Sequence, residues 1–200
     1  MIMIYDSKQR PLAKVVPNVL EQPKLEVLAT RIPFHLMQNH FEQGYENWDG
    51  SYRTPFSVVT FNNGIWTITG DVHISTSGYQ PALESAFSTL RQSVGLTGEF
   101  SGSYQFISYL LSTLHGSERE WHTDNDGKGH SLILPLSERE GNWSGGDLGV
   151  RVGEEEEVQV IRHALNQGVI VDNSMVQHKV TRMLALKDGA VRNVLHLWYS

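Results

Sequence analysis

The sequence predicts an α+β domain, a β-sandwich or barrel buttressed by helices from its first half, and three observations carry this. Residues 101–200 hold a succession of short apolar stretches separated by turn signals. A stretch opened by Pro81 repeats apolar residues at helical spacing. The chain has 200 residues with 40% hydrophobic and 19% charged, enough for one well-filled core, so residues 1–200 are read as a single domain.

Residues 1–100 supply the helices. Phe34-His35-Leu36-Met37-Gln38-Asn39-His40-Phe41 is a short helical candidate. The aromatic segment from Tyr45 through Trp48 and Tyr52 to Arg53 reads as a surface loop, with a lid over a substrate as the sharper alternative. Phe56–Phe61 and Ile65–Thr69 flank Asn62-Asn63-Gly64, a hairpin signal, because Asn-Gly accepts the positive φ of a tight turn. After Pro81, the residues Leu83, Ala86, Phe87, Leu90 and Val94 mark one face of a longer helix.

Residues 101–200 read as strands: Tyr104–Leu111, Ser131–Leu136, Asp147–Val152, Val158–His163, Gly168–Asp172, Lys179–Ala185 and Val191–Tyr199. The run Glu154-Glu155-Glu156-Glu157 falls between two of them and reads as a solvated loop.

Composition excludes whole classes of function. The absence of cysteine removes disulfides, thiolate catalysis, zinc ribbons and iron–sulfur clusters. Any metal site must then draw on His, Asp or Glu, and there are nine histidines. A net charge of −6 with scattered Lys and Arg argues against nucleic acid as the main partner. The apolar runs are too short to span a bilayer. The opening residues lack a basic stretch followed by a long apolar one, so a cytoplasmic protein is expected.

His122-Thr123-Asp124 places an imidazole and a carboxylate on one face of an extended segment. His178 follows 54 residues later, beyond several strands. Two imidazoles and a carboxylate on one octahedral face form the triad that suits non-haem Fe(II) and leaves three positions open. His-x-Asp alone is common, and His35, His40, His73, His115 and His163 show how many histidines lack such company. His130 stands close behind Gly127-Lys128-Gly129 and is ambiguous.

From about Tyr104 to Ser200 the chain resembles the 2-oxoglutarate/Fe(II)-dependent oxygenases, in particular their prolyl-hydroxylase-like branch. Five features coincide in the family's order: Phe106-Ile-Ser-Tyr109, then Trp121-His122-Thr123-Asp124-Asn125. Leu132-Ile-Leu-Pro-Leu136 leads to Trp143-Ser-Gly145-Gly146-Asp147-Leu148, Gly168-Val-Ile-Val-Asp172 leads to His178-Lys179-Val180, and Arg192-Asn-Val-Leu-His-Leu-Trp198-Tyr199 ends the set.

The resemblance implies a double-stranded β-helix, a jelly-roll or cupin-like barrel, with iron at its open end. It implies Fe(II) and 2-oxoglutarate as cofactor and cosubstrate, O2 as the second cosubstrate and ascorbate as a candidate reductant. The reaction implied is hydroxylation of an unactivated C–H bond, with succinate and CO2 as coproducts. His122, Asp124 and His178 become the iron ligands. Arg192 becomes the partner of the distal carboxylate of 2-oxoglutarate, with Tyr109 and Ser131 lining the oxoacid's pocket. A buried dicarboxylate needs a fixed cation, and a guanidinium suits it.

Strand parity sets Val194, His196 and Trp198 on the face of Arg192. His196 is a core histidine or a contact to cosubstrate or substrate. Trp198 packs near the ligands or is an ordinary core aromatic. Arg192 follows His178 by 14 residues, somewhat later than the family's basic residue, so Lys187 and Arg182 are rival cations. Pro135 stands where relatives often carry a second tyrosine. Residues 1–100 match no family pattern and are expected to support the core and shape the substrate entrance.

The substrate class left open is an amino acid, a peptidyl residue or a small natural product. The alternatives are a cupin-type metal-binding barrel, isomerase-like or sugar-binding, and a non-catalytic interaction domain on an oxygenase scaffold. Oligomeric state is not legible.

Overall fold

The computed structural model describes residues 1–31, 51–53, 58–62, 65–69, 80–95, 101–110, 118–154 and 156–199. The candidate helix at residues 34–41 and the loop residues 45–50 lie outside these.

Fifteen strands are described: β1 (Ile2–Tyr5), β2 (Pro11–Val16), β3 (Ser51–Arg53), β4 (Val58–Asn62), β5 (Ile65–Thr69), β6 (Ser101–Leu110), β7 (Arg119–His122), β8 (His130–Pro135), β9 (Trp143–Gly145), β10 (Leu148–Arg151), β11 (Gln159–Ile161), β12 (Gly168–Asp172), β13 (Gln177–Val180), β14 (Met183–Ala185) and β15 (Val191–Tyr199). Nine of them form a major sheet in the order β1-β2-β12-β8-β15-β6-β4-β5, with β3 also on β6. Four form a minor sheet, β11-β10-β13-β7, and β9 pairs with β14. Every pairing is antiparallel.

Period-two alternation gives the major sheet two buried faces. On the inner face, Ala13, Val15, Ile133, Val169, Val171 and Val194 pack against Leu148, Val150 and Ile161 of the minor sheet. On the outer face, Leu132, Leu134, Ile170, Leu195 and Leu197 pack against the helices. That face takes α1 (Gln22–Glu26), which runs on as a π turn over Val27–Arg31, and α2 (Gln80–Val94). Pro23 opens α1, where its missing N–H costs nothing. In α2 the residues Ala82, Leu83, Ala86, Phe87 and Leu90 are buried at helical spacing. Each fully buried leucine contributes roughly 2 kcal/mol of burial free energy. The result is an antiparallel α+β architecture of a major and a minor sheet, with a two-stranded β9–β14 pair and helices on one side. Among the described residues no helix is long and apolar enough to cross a membrane.

The hairpin is present, with Asn62 opposite Ile65, and the Pro81 helix starts one residue early. Two differences are instructive. Lys179–Ala185, expected as one strand, is two: β13 serves the minor sheet and β14 pairs with β9. The bend lies at Thr181, whose Oγ1 accepts from Asp147 N and whose carbonyl accepts from Gly146 N. Secondly, β1 and β2, which no alternation in the sequence marks, continue the major sheet beyond β12. Their turn is tied by Asp6, whose Oδ1 accepts from the backbone of Lys8 and Arg10 at 2.9 and 2.8 Å.

Candidate metal centre

The centre lies between the sheets at one end. In the minor sheet β7 and β13 are neighbours, and His122 stands directly opposite His178. Their ring centroids are 4.3 Å apart. Past His122 the chain leaves β7 and, after Asp124, turns through a 3-10 segment, Asn125–Gly127, with Asp126 in the left-handed region. Gly127 N closes that turn on the Asp124 carbonyl at 2.9 Å. Asp124 is thereby carried toward β8 and β15, where Ser131, Ile133, His196 and Trp198 share a face.

Four groups converge on the Asp124 carboxylate. His178 Nε2 lies 3.1 Å from Oδ2 and His122 Nε2 lies 3.7 Å from Oδ1. Ser131 Oγ donates to Oδ2 at 3.1 Å. His196 Nε2 approaches Oδ2 to 2.9 Å, though not aligned as a hydrogen bond. One ligand atom from each of His122, Asp124 and His178 can be chosen so that all lie within 4.8 Å of one another. Adjacent ligands on an octahedral ion with bonds of about 2.1 Å are separated by roughly 3 Å, close to the 3.1 and 3.7 Å from Asp124 to the two imidazoles, so the donor set could hold a single ion.

Protonation favours the same use. Burial pushes the Asp124 carboxyl up, but the imidazoles of His196 and His178 outweigh it and hold it well below the usual range. Burial, then the nearby His178 and Arg119, push His122 down to about 4. His122 Nδ1 lies 2.7 Å from the Glu120 carbonyl, which can only accept, so the lone pair falls on Nε2. Arg119 Nε donates to that nitrogen at 2.9 Å, a contact a metal ion would displace.

Behind the carboxylate, Ser131 is fully buried and accepts from Asn173 Nδ2 at 2.9 Å. The resemblance points Ser131 toward the oxoacid; here its hydroxyl is directed at Asp124. Trp198 lies edge-on to His196, with centroids 5.3 Å apart.

Arg192 sits four residues before His196 on the same face of β15, roughly 13 Å along the strand. It is 2% exposed, whereas the rival cations Arg182 and Lys187 are on the surface. A small cavity lined by Ile133, Pro135, Leu148, Val169, His163 and Arg192 lies beside it, with Arg162 and Gln167 on its outer side. The backbone of Tyr109 pairs with Arg192, while its side chain lies outside the described residues. Sequence reasoning missed His163, whose Nδ1 accepts from Arg192 Nε at 3.2 Å. It also missed Asn173 and Arg119. No spacing signal marks His163 or Asn173, because their partners are 29 and 42 residues away, and Arg119, three residues before His122, carries no pattern of its own.

No protein-family model matches the chain, and no curated protein matches it. Solved structures do. IDO from Bacillus thuringiensis superposes with a TM-score of 0.63 at 13% identity, covering 94% of this chain and 90% of that one. An oxidoreductase of the 2OG-Fe(II) oxygenase family from Burkholderia pseudomallei gives 0.62 at 15% identity, covering 94% and 84%. A Pseudomonas putida prolyl-4-hydroxylase gives 0.54 at 15% identity, covering 94% and 91%. The resemblance read from the ordered motifs therefore holds at the level of fold: this chain folds as 2OG-Fe(II) oxygenases do, prolyl 4-hydroxylases among them.

Proposed function

We propose that the chain is an Fe(II)- and 2-oxoglutarate-dependent dioxygenase that hydroxylates an unactivated C–H bond of an amino acid, a peptidyl residue or a small natural product. The observation that carries this is the convergence of His122, Asp124 and His178, two of them from the minor sheet, with a buried Arg192 on β15 of the major sheet. The β-strand order fits a jelly-roll barrel with the centre at its mouth.

When bound, iron together with 2-oxoglutarate and O2 supplies the oxidant, and succinate and CO2 leave. The protein's own share is positional. His122, Asp124 and His178 would hold the metal on one face, leaving positions for cosubstrates. Ser131, backed by Asn173, fixes the rotation of the Asp124 carboxylate. Arg192 would bind the distal carboxylate of the oxoacid. The side chains of Ile133, Leu148 and Val169 give the cavity an apolar wall. Residues 1–100 would shape the substrate entrance.

A second reading has one observation in its favour. His196 brings a third imidazole to Asp124, a donor set that also suits a cupin-type metal barrel with different chemistry. Succinate formation from 2-oxoglutarate with added Fe(II), in the wild type and in Asp124→Ala, separates the two. Turnover in the wild type and its loss in the variant is expected. Failure of the iron-loaded wild type to bind oxoglutarate would sink the dioxygenase. A screen of candidate substrates for a mass gain of one oxygen then addresses the acceptor.

A further inference from the structure

His163 is locked from three sides. It lies two residues past β11, and its backbone N–H donates to Asp147 Oδ1 at 2.9 Å. Asp147 is itself held by Arg139. The His163 ring stands edge-on to Trp143, with centroids 5.4 Å apart and planes at 75°. Its Nε2 lies 3.1 Å from the Ser137 carbonyl. A carbonyl only accepts, so Nε2 carries the proton and Nδ1 the lone pair. That lone pair meets Arg192 Nε at 3.2 Å, and both side chains are buried, at 6% and 2% exposure.

We infer that His163 is the positioning residue for Arg192: it pins the guanidinium through Nε, so that a distal carboxylate meets the Nη1–Nη2 edge. The inference rests on the reading of Arg192 as the anchor of the oxoacid and deepens it. A guanidinium is a rigid planar fork, so fixing one N–H fixes the direction of the other four. The identity of the acceptor matters. An Asp or Glu at this place would orient Arg192 equally well but would cancel the charge that a dicarboxylate needs. A neutral imidazole orients without cancelling.

The test is calorimetric, on Mn(II)-loaded protein, with two ligands: 2-oxoglutarate, and 2-oxobutyrate, which keeps the oxoacid head and lacks the distal carboxylate. His163→Leu removes the acceptor. His163→Gln can accept from Arg192 with its amide oxygen and donate to Ser137 with its amide nitrogen. The expected result is at least a ten-fold loss of 2-oxoglutarate affinity in His163→Leu, with 2-oxobutyrate unchanged. His163→Gln should stay within about three-fold of wild type. Wild-type affinity in His163→Leu, or an equal loss for both ligands, overturns the inference and leaves the dioxygenase standing. Binding of neither oxoacid by metal-loaded wild type removes the functional reading and this inference with it. Should His163→Leu not fold, 15N chemical shifts of the wild-type His163 ring decide: the Nε2–H tautomer supports the inference, and the Nδ1–H tautomer refutes it.

Discussion

Acidification should reveal His163 as a stability switch in the metal-free protein. Its burial, with Arg192 and then Arg139 nearby, pushes it down to about 3 even though the Ser137 carbonyl favours the proton. In the unfolded chain it titrates near 6.5. A histidine lowered on folding contributes stability that is fully present above the unfolded value. That stability drains away as pH falls from about 6.5 toward about 3, because the unfolded state takes up the proton first. At pH 4 the chain is roughly 2.5 pH units into this window, and at about 1.4 kcal/mol per unit the loss is about 3 kcal/mol. For a 200-residue protein that is roughly 6–12 °C in Tm. The assay is a set of thermal melts between pH 7 and pH 4 on wild type and His163→Gln. Glutamine cannot titrate, while His122 and the carboxylates titrate in both proteins, so the difference in slope isolates His163. The variant should lose about 3 kcal/mol less than wild type on going from pH 7 to pH 4. Parallel pH profiles would refute the assignment of a buried, neutral His163.

Three further outcomes are expected. Gly145→Ala should cost more than about 3 kcal/mol in urea unfolding, because its φ is +70° and a Cβ there would lie 1.8 Å from the Arg182 carbonyl oxygen; a cost below about 1 kcal/mol would contradict the geometry. Ser131→Ala should weaken Mn(II) binding by roughly 10–100-fold by freeing the Asp124 carboxylate to rotate, read by metal titration; an unchanged affinity would show that Ser131 does not orient the ligand. Asn166→Ala should cost about 3 kcal/mol by chemical denaturation, since Asn166 is buried in the left-handed region and its amide pairs with both backbone groups of Leu20 at 3.0 and 2.8 Å; a loss within 0.5 kcal/mol, on the order of an ordinary surface change, would argue that the clamp is idle.

Much of the architecture is legible in the chain because periodicity is local. The strands of the second half, the hairpin around Asn63-Gly64 and the helix after Pro81 follow from side-chain alternation and turn chemistry, and the structure has them within a few residues. The division of 179–185 is not legible, since it depends on Thr181 meeting Asp147 and Gly146 across the fold. Nor are β1 and β2, short strands whose place is set by the free edge of β12.

His122 and Asp124 stand out because two residues in an extended segment share a face, and His178 through the ordered motifs around it. By itself, then, the sequence determined the donor types, the absence of any thiol chemistry and the parity that groups Arg192 with His196. The tertiary structure alone decided that His178 stands opposite His122, that His196 and Ser131 both reach Asp124, and that Arg192 rather than Arg182 or Lys187 is buried. It also decided that His163, indistinguishable in the sequence from the other lone histidines, meets Arg192. The physical reason is the same throughout: backbone periodicity fixes which way a side chain points, but only the pairing of strands distant in sequence fixes what it points at.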